Sequence, residues 1–260
     1  MRRELAAILA IAHRDLIKLL RDRTRLIADL AFPFIFIGIL GASLQAGFGD
    51  ANGINLLVFV FTGVLAQTLW QSSALGVISL IEDRENDFSQ EIFVSPISRY
   101  SIVIGKVLGE SLVALPQGIA ITIFGLIIGI PLSVTTLLAL VPVVIVVSLF
   151  GGAFGVLVLS RLPNRRAASQ VFPFVMLPQF FLAGVFNPID RLPPILDLAS
   201  HLSPMRYAVD LLRNVYYAIN PESVDVASDP LTLNLAVIAI AFVAFIGIGT
   251  AFFVRAERNR

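Results

Sequence analysis

The chain has 260 residues, 57% hydrophobic and only 14% charged, with a formal net charge of +1 and a mean hydropathy of +0.87. Soluble domains carry about 25% charged residues, so a water-facing globule is excluded and the class is a polytopic, all-α membrane protein. The absence of cysteine excludes disulfides, thiolate metal sites and a cysteine nucleophile, and nothing in the charge balance points to a nucleic-acid partner.

Residues 2–25 predict an amphipathic helix. Leu5, Leu9, Ala12, Leu16 and Leu19 share one face, and Arg14, Lys18, Arg21 and Arg25 fall opposite. Such a helix lies in the membrane interface, apolar side down. It precedes the first apolar run, which therefore reads as an uncleaved anchor, not a signal peptide. Runs of about 20 apolar residues cross roughly 30 Å of hydrocarbon as helices. Six are predicted, at 26–47, 54–80, 102–130, 135–159, 168–186 and 231–254, in one transmembrane unit covering 1–260.

Between the second and third spans lies the longest charged interruption in the first 185 residues. It holds Glu82, Asp83, Arg84, Glu85, Asp87, Glu91, Arg99 and Lys106. Lys106 and Glu110, four apart on one helix, are spaced to pair. The loop SRLPNRR at 160–166 adds Arg161, Arg165 and Arg166. The stretch 187–230 is polar and amphipathic. Ser203 followed by Pro204 is a helix start, and Tyr207, Ala208, Leu211, Leu212, Val215, Tyr216 and Ile219 form an apolar face. Arg206, Asp210, Arg213 and Asn214 lie mainly on the other face. Pro193-Pro194 opens a shorter helix through Leu202. These two short helices are expected to dip into the outer leaflet as re-entrant elements or to cap the last span.

Positive loops stay in the cytoplasm. Sixteen of the 19 Lys and Arg residues fall in 1–25, 81–106, 160–166 and 255–260, and three fall in 187–230. The expected orientation has both termini cytoplasmic in a cell inner membrane, with the charged loop 82–99 on the inner side.

No catalytic constellation stands out. The two histidines, His13 and His201, are far apart, and no G-x-S-x-G, H-E-x-x-H or Walker A pattern occurs. The chain has no nucleotide-binding loop, so any ATP that drives it is bound by another polypeptide. Mid-span charge, which ion channels and secondary carriers use, is nearly absent. The same gaps weigh against a membrane-embedded lipid-modifying enzyme. The mid-span polar residues are Gln67, Gln71 and Ser72 beside Trp70, then Gln117, Gln170 and Gln179. They serve either helix–helix hydrogen bonding or a cargo pathway, for which Gln67, Trp70, Gln71, Gln179 and Phe180 are the candidates. Gly125/Gly129 and Gly151/Gly155 have the small-xxx-small spacing of close helix pairs.

The segment EDRENDFSQEIFVSPISR followed by IVIGK resembles the cytosolic loop of the type-two permease family of ATP-binding-cassette exporters, drug- and polysaccharide-exporter-like. The match covers Glu82, Arg84, Glu85, Phe88, Ser95, Pro96, Ser98, Arg99, Gly105 and Lys106, and SPMRYAVDLLR resembles that family's outer helix before the last span. Asp87 stands where the family often has Gly. The resemblance implies a transmembrane subunit that pairs with a second permease chain, a homodimer in preference to a heterodimer. It also implies two copies of a separate ATPase that carry the ATP and Mg, and no cofactor on this chain. It makes 82–99 a coupling helix in which Phe88, Ile92 and Phe93 dock into the ATPase, flanked by Glu82, Arg84, Glu85, Glu91, Pro96 and Arg99. Arg161, Arg165 and Arg166 form a possible second contact. Few span residues suit a strongly hydrated sugar, so the expected cargo is hydrophobic, drug-like (multidrug) or lipid-like, with a lipid-linked polysaccharide as the alternative.

Overall fold

The computed structural model describes residues 2–48, 53–85, 98–189, 192–222 and 226–258. All regular elements among them are helical: α1 (Arg2–Arg21), α2 (Arg23–Ile35), a π-helical segment (Phe36–Gly41), α3 (Ala42–Phe48), α4 (Leu56–Gly76), α5 (Ile78–Glu85), α6 (Arg99–Ile127), α7 (Val134–Leu159), α8 (Arg165–Leu182), α9 (Pro194–His201), α10 (Pro204–Ile219) and α11 (Leu231–Arg258).

Polar caps set where the long helices begin. The side chains of Asn55, Ser98, Ser133 and Asn164 accept from the backbone N–H of Val58, Ser101, Thr136 and Ala167, at 2.8–3.1 Å. Each cap satisfies one of the amides that a helix start leaves without an intrahelical partner. In the first span Pro33 cannot donate to the Asp29 carbonyl, and the helix widens to π geometry from Phe36.

Five stretches are long and apolar enough to cross a membrane: Leu26–Gly47, Leu56–Asp83, Arg99–Ile127, Val134–Leu159 and Leu231–Arg255. They match five of the six predicted spans. The remaining one is α8, 18 residues or about 27 Å long. Its first residue, Arg165, contacts Glu82 of α5, and the Leu182 carbonyl at its far end accepts from Ser200 of α9. The ends of α8 therefore sit at the two ends of the bundle. At one end gather α1, α5, the start of α6, the end of α7 and the C-terminal part of α11, where Arg161 stacks on the Phe252 ring at 3.6 Å. At the other lie α9, α10 and the α6–α7 turn, where Tyr216 donates to the Pro131 carbonyl.

α4 is the central helix. Residues on all of its sides are buried, Phe59, Phe61, Leu65, Leu69 and Trp70 among them, against α6, α7, α10 and the π segment. Its fit to α7 depends on glycine. A methyl group at Gly151 would overlap the Trp70 carbonyl oxygen, and one at Gly155 the Ala74 carbonyl oxygen. The predicted small-residue spacing here is a backbone-to-backbone contact. Gly125, by contrast, accommodates the Phe61 ring, and Gly129 ends α6 with φ +86°. The outward faces are apolar: Ile127, Phe174, Ile195 and Ile240 are each more than 70% exposed. In water such a belt is a liability; in hydrocarbon it is the solvated surface.

Gly151→Val should force α7 off α4 and cost about 3 kcal/mol or more, at or beyond the upper end of overpacking effects. The check is a thermal melt of detergent-solubilised protein followed by size-exclusion chromatography. An unchanged midpoint would contradict the packing described.

Candidate functional site

Two glycines four apart on α6, Gly105 and Gly109, make the seat for α1. A Cβ at Gly109 would lie 3.0 Å from the Ala12 Cα and 3.2 Å from Asp15 Oδ2, and one at Gly105 would lie 3.3 Å from the Ile8 Cα. This close approach carries Asp15 to Lys106. The Lys106 ammonium sits 3.0 Å from Asp15 Oδ2 and 2.9 Å from Asp83 Oδ2, and it donates to Ser79 Oγ at 3.0 Å. Ser79 in turn donates to Glu110 Oε1 at 2.7 Å. Lys106 therefore reaches the expected Glu110 through Ser79 and joins two carboxylates that the spacing argument did not supply. Arg14 closes the group from the rim, 2.6 Å from Asp83 and 3.0 Å from Asp15. Burial works against the Arg14 cation, but Asp83 and Asp15 outweigh it and hold its pKa above the ordinary value.

The apolar face predicted for α1 is divided by this seating. Ala12 and Leu19 are buried in the bundle, whereas Leu5 and Leu9 remain exposed beside them. The start of α1 is tied down separately. Glu4 accepts from the Ser98 backbone N–H at 3.1 Å, and the Ser101 hydroxyl and this amide lower its pKa.

α5 prolongs the line of α4 into the charged loop. Glu82 accepts from Arg165 Nε at 3.0 Å and lies 3.7 Å from Lys18 Nζ, so α5 is bound to α8 and α1 as well as to α6. A cavity of about 380 Å³ opens among these groups, lined by Asp15, Lys18, Glu82, Glu110 and Arg165. Of the predicted ATPase contacts, Glu82, Arg84 and Glu85 belong to α5, and Arg99 is the first residue of α6. Phe88, Glu91, Ile92, Phe93 and Pro96 lie outside the described residues. Arg161 is over Phe252, Arg165 is paired with Glu82, and Arg166 is exposed at the start of α8.

The predicted pathway residues are spread over several environments. Gln71 lines a second cavity, of about 420 Å³, with Asp29, Phe32, Ser72 and Gln117. Gln67 is buried behind it and donates to Gln71 Oε1 at 3.4 Å. Trp70 points the other way, its ring centroid 4.7 Å from that of Phe154. Gln179 lies at the end of α8, within reach of Ser203 at 3.5 Å, and Phe180 packs near Phe32.

At the far end of the bundle Arg206, Asp210 and Arg213, on the polar face of α10, are all buried. Arg206 donates to Asp229 at 2.9 Å and to Ser200 at 2.9 Å. Asp210 accepts from the backbone N–H of Ser228 and Asp229 and from Asn234, each at 2.8 Å, so α10 caps the start of α11 as one of the two predicted roles requires. Burial raises the Asp210 pKa despite these donors. Arg213 stacks on the Phe59 ring at 3.7 Å and donates to the Phe59 carbonyl.

Lys106→Met should cost about 3 kcal/mol, because Asp15 and Asp83 would stay desolvated with only the half-exposed Arg14 left to pair them. Adding Asp15→Asn and Asp83→Asn should recover most of that loss. Thermal melts of the single and triple variants decide it; equal melting points for the single variant and the parent would refute the role assigned to Lys106.

A model of the family described as "ABC-2 type transporter" matches residues 6–217. The chain is 28% identical over 213 residues to a putative transport permease, Ycf38, of Cyanophora paradoxa, covering 80% of this chain and 73% of that one. It is 27% identical over 216 residues to the inner membrane transport permease YadH of Escherichia coli (strain K12), covering 81% and 80%. It is also 26% identical over 192 residues to nodulation protein J of Rhizobium leguminosarum bv. trifolii, covering 73% of each.

Proposed function

The chain belongs to the ABC-2 type transporter family, as a multi-pass transport permease and not an enzyme, and from that premise we propose that it is the membrane subunit of an ATP-driven exporter of hydrophobic, drug-like or lipid-like cargo. The single observation that carries the mechanism is the ion-paired junction at the root of the 86–97 loop. Asp83 and Lys106 tie α5 to α6, Asp15 ties α6 and Arg14 ties α5 to α1, and Glu82 with Arg165 ties α5 to α8. A force on the loop is thereby delivered to four helices as one body, the rigid-body transmission that switching assemblies use.

In this reading the single unit 1–260 pairs with a second copy of itself on two copies of a separate ATPase, which holds the ATP and Mg. The junction faces the cytoplasm, with both termini on that side of the inner membrane. Phe88, Ile92 and Phe93 enter a groove of the ATPase, and Arg84, Glu85, Glu91, Pro96 and Arg99 flank it. Glu82 and Arg165 hold the loop from within the permease, which leaves Arg161 and Arg166 as the second contact. The cargo preference rests on the scarcity of span residues suited to a strongly hydrated sugar.

Two measurements test this. Phe88→Asp/Ile92→Asp in the reconstituted complex should bring cargo-stimulated ATP hydrolysis down to the unstimulated rate; undiminished stimulation counts against docking. The cysteine-free background also allows single-cysteine labelling. Glu222→Cys should react with an impermeant maleimide in intact cells, and Arg166→Cys only after the membrane is opened. The reverse pattern overturns the orientation.

A further inference from the structure

The 420 Å³ cavity lies between α2, α4 and α6, and Leu75 is on the wall of both this cavity and the one at the ion-paired junction. Its volume is that of a small-molecule site, for which about 300–1,000 Å³ is usual. One wall is Phe32 and Pro33 of α2. The facing wall presents Gln71 and Ser72 of α4 and Gln117 of α6.

The polar groups on that wall have unused capacity. Ser72 Oγ is buried and has no hydrogen-bond partner among the described residues. Gln71 uses its carbonyl for Gln67, which leaves its amide N–H groups. Gln117 donates to Asp29 Oδ2 at 3.0 Å, which leaves its carbonyl. The lining contains the Asp29 carboxylate and no Lys, Arg or His among the described residues. A phosphate or sulfonate entering this space would lose its hydration and find no cation among the described lining residues to pair with. An uncharged or singly cationic head would meet hydroxyl and amide partners, and its apolar body would lie against Phe32 and Pro33.

We infer that this cavity is a binding site, within one permease chain, for a drug-sized amphiphile that carries no anionic group. Gln71, Ser72 and Gln117 would take its polar end and Phe32 its apolar body. The inference rests on the permease reading and narrows it by setting phosphate-linked lipids outside the cargo of this cavity.

The test uses the full chain with its ATPase in phosphatidylcholine nanodiscs, titrated with the cation rhodamine 6G and, separately, the anion sulforhodamine B, with empty nanodiscs subtracted. Rhodamine 6G should saturate, and sulforhodamine B should bind at least about tenfold more weakly, a difference of about 1.4 kcal/mol. Gln71→Phe, at the partly exposed rim, should weaken rhodamine 6G by a similar factor. Gln117→Leu should weaken it too, by removing a polar partner without filling the space. Co-elution of each variant with the ATPase shows that it is folded and assembled. If the parent chain does not co-elute with the ATPase, the permease reading itself fails. If co-elution holds but the two dyes bind equally, or neither substitution changes rhodamine 6G binding, the cavity inference alone is overturned.

Discussion

A buried ammonium group has to be matched or the fold does not form, and in this chain that group is Lys106. Its side chain is 2% exposed, with Asp15 and Asp83 as counter-ions and Ser79 as a further acceptor. Moving one such ion out of water costs several kcal/mol even after relaxation. The cost is offset only if three separate pieces of chain, α1, α5 and α6, arrive together. α1 can arrive only because Gly105 and Gly109 let its backbone lie directly on α6. Removing the glycine seat takes Asp15 from the lysine, and removing the carboxylates leaves it with Ser79 but without a counter-ion.

The rest of the molecule follows the same rule with its polarity reversed relative to a soluble protein. Large aliphatic and aromatic side chains lie outward, where lipid solvates them as well as a protein core would. The buried ionised groups lie at the two ends, and each has a partner from another element. At the junction the cations and carboxylates alternate. At the far end Arg206 and Asp210 hold the α10–α11 corner through Asp229, Ser228 and Asn234, while Arg213 fixes α10 to the start of α4. Between these ends the spans are joined by close backbone contact, with Gly151 and Gly155 against α4, and need almost no charge.

The architecture was legible in the sequence because its signals are local. Runs of apolar residues gave the spans, and Asn55, Ser98, Ser133 and Asn164 stand at or near the predicted span starts. What the sequence concealed is long-range pairing. A 3.6-residue pattern on α10 looks the same whether its charges face water or are buried beside Asp229, more than 20 residues later, or Phe59, more than 150 residues earlier. Asp15 likewise sat unremarked beside Arg14, since nothing in the local pattern of α1 says that one is covered and the other half exposed. One signal could have found it. Gly105 and Gly109 flank Lys106 and have the spacing of a helix seat, and a lysine there requires a carboxylate from whatever sits on it. Among the pathway candidates, Gln67 and Gln71 share a composition signal, but only the side on which each projects from α4 decides which one borders the cavity.

The break between α4 and α5 connects the two halves of the argument. α4 ends at Gly76 and α5 resumes at Ile78. The Glu110 carboxylate lies against Gly76, where any side chain would overlap it, and accepts from Ser79 just beyond the break. The segment from Ser72, on the cavity wall, to Glu82, held by Arg165, spans ten residues, or about 15 Å of helix rise. A displacement of α5 therefore has a short lever to the cavity wall, with Glu110 of α6 pressed into its joint. The ion pairs ensure that α1 and α8 move with α5, while Gly151 and Gly155 hold the C-terminal part of α4, at Trp70 and Ala74, to α7. In the proposed mechanism the bend must then fall near Gly76, between the part of α4 fixed by α7 and the part carried by the junction, at the floor of the cavity where Leu75 faces both chambers.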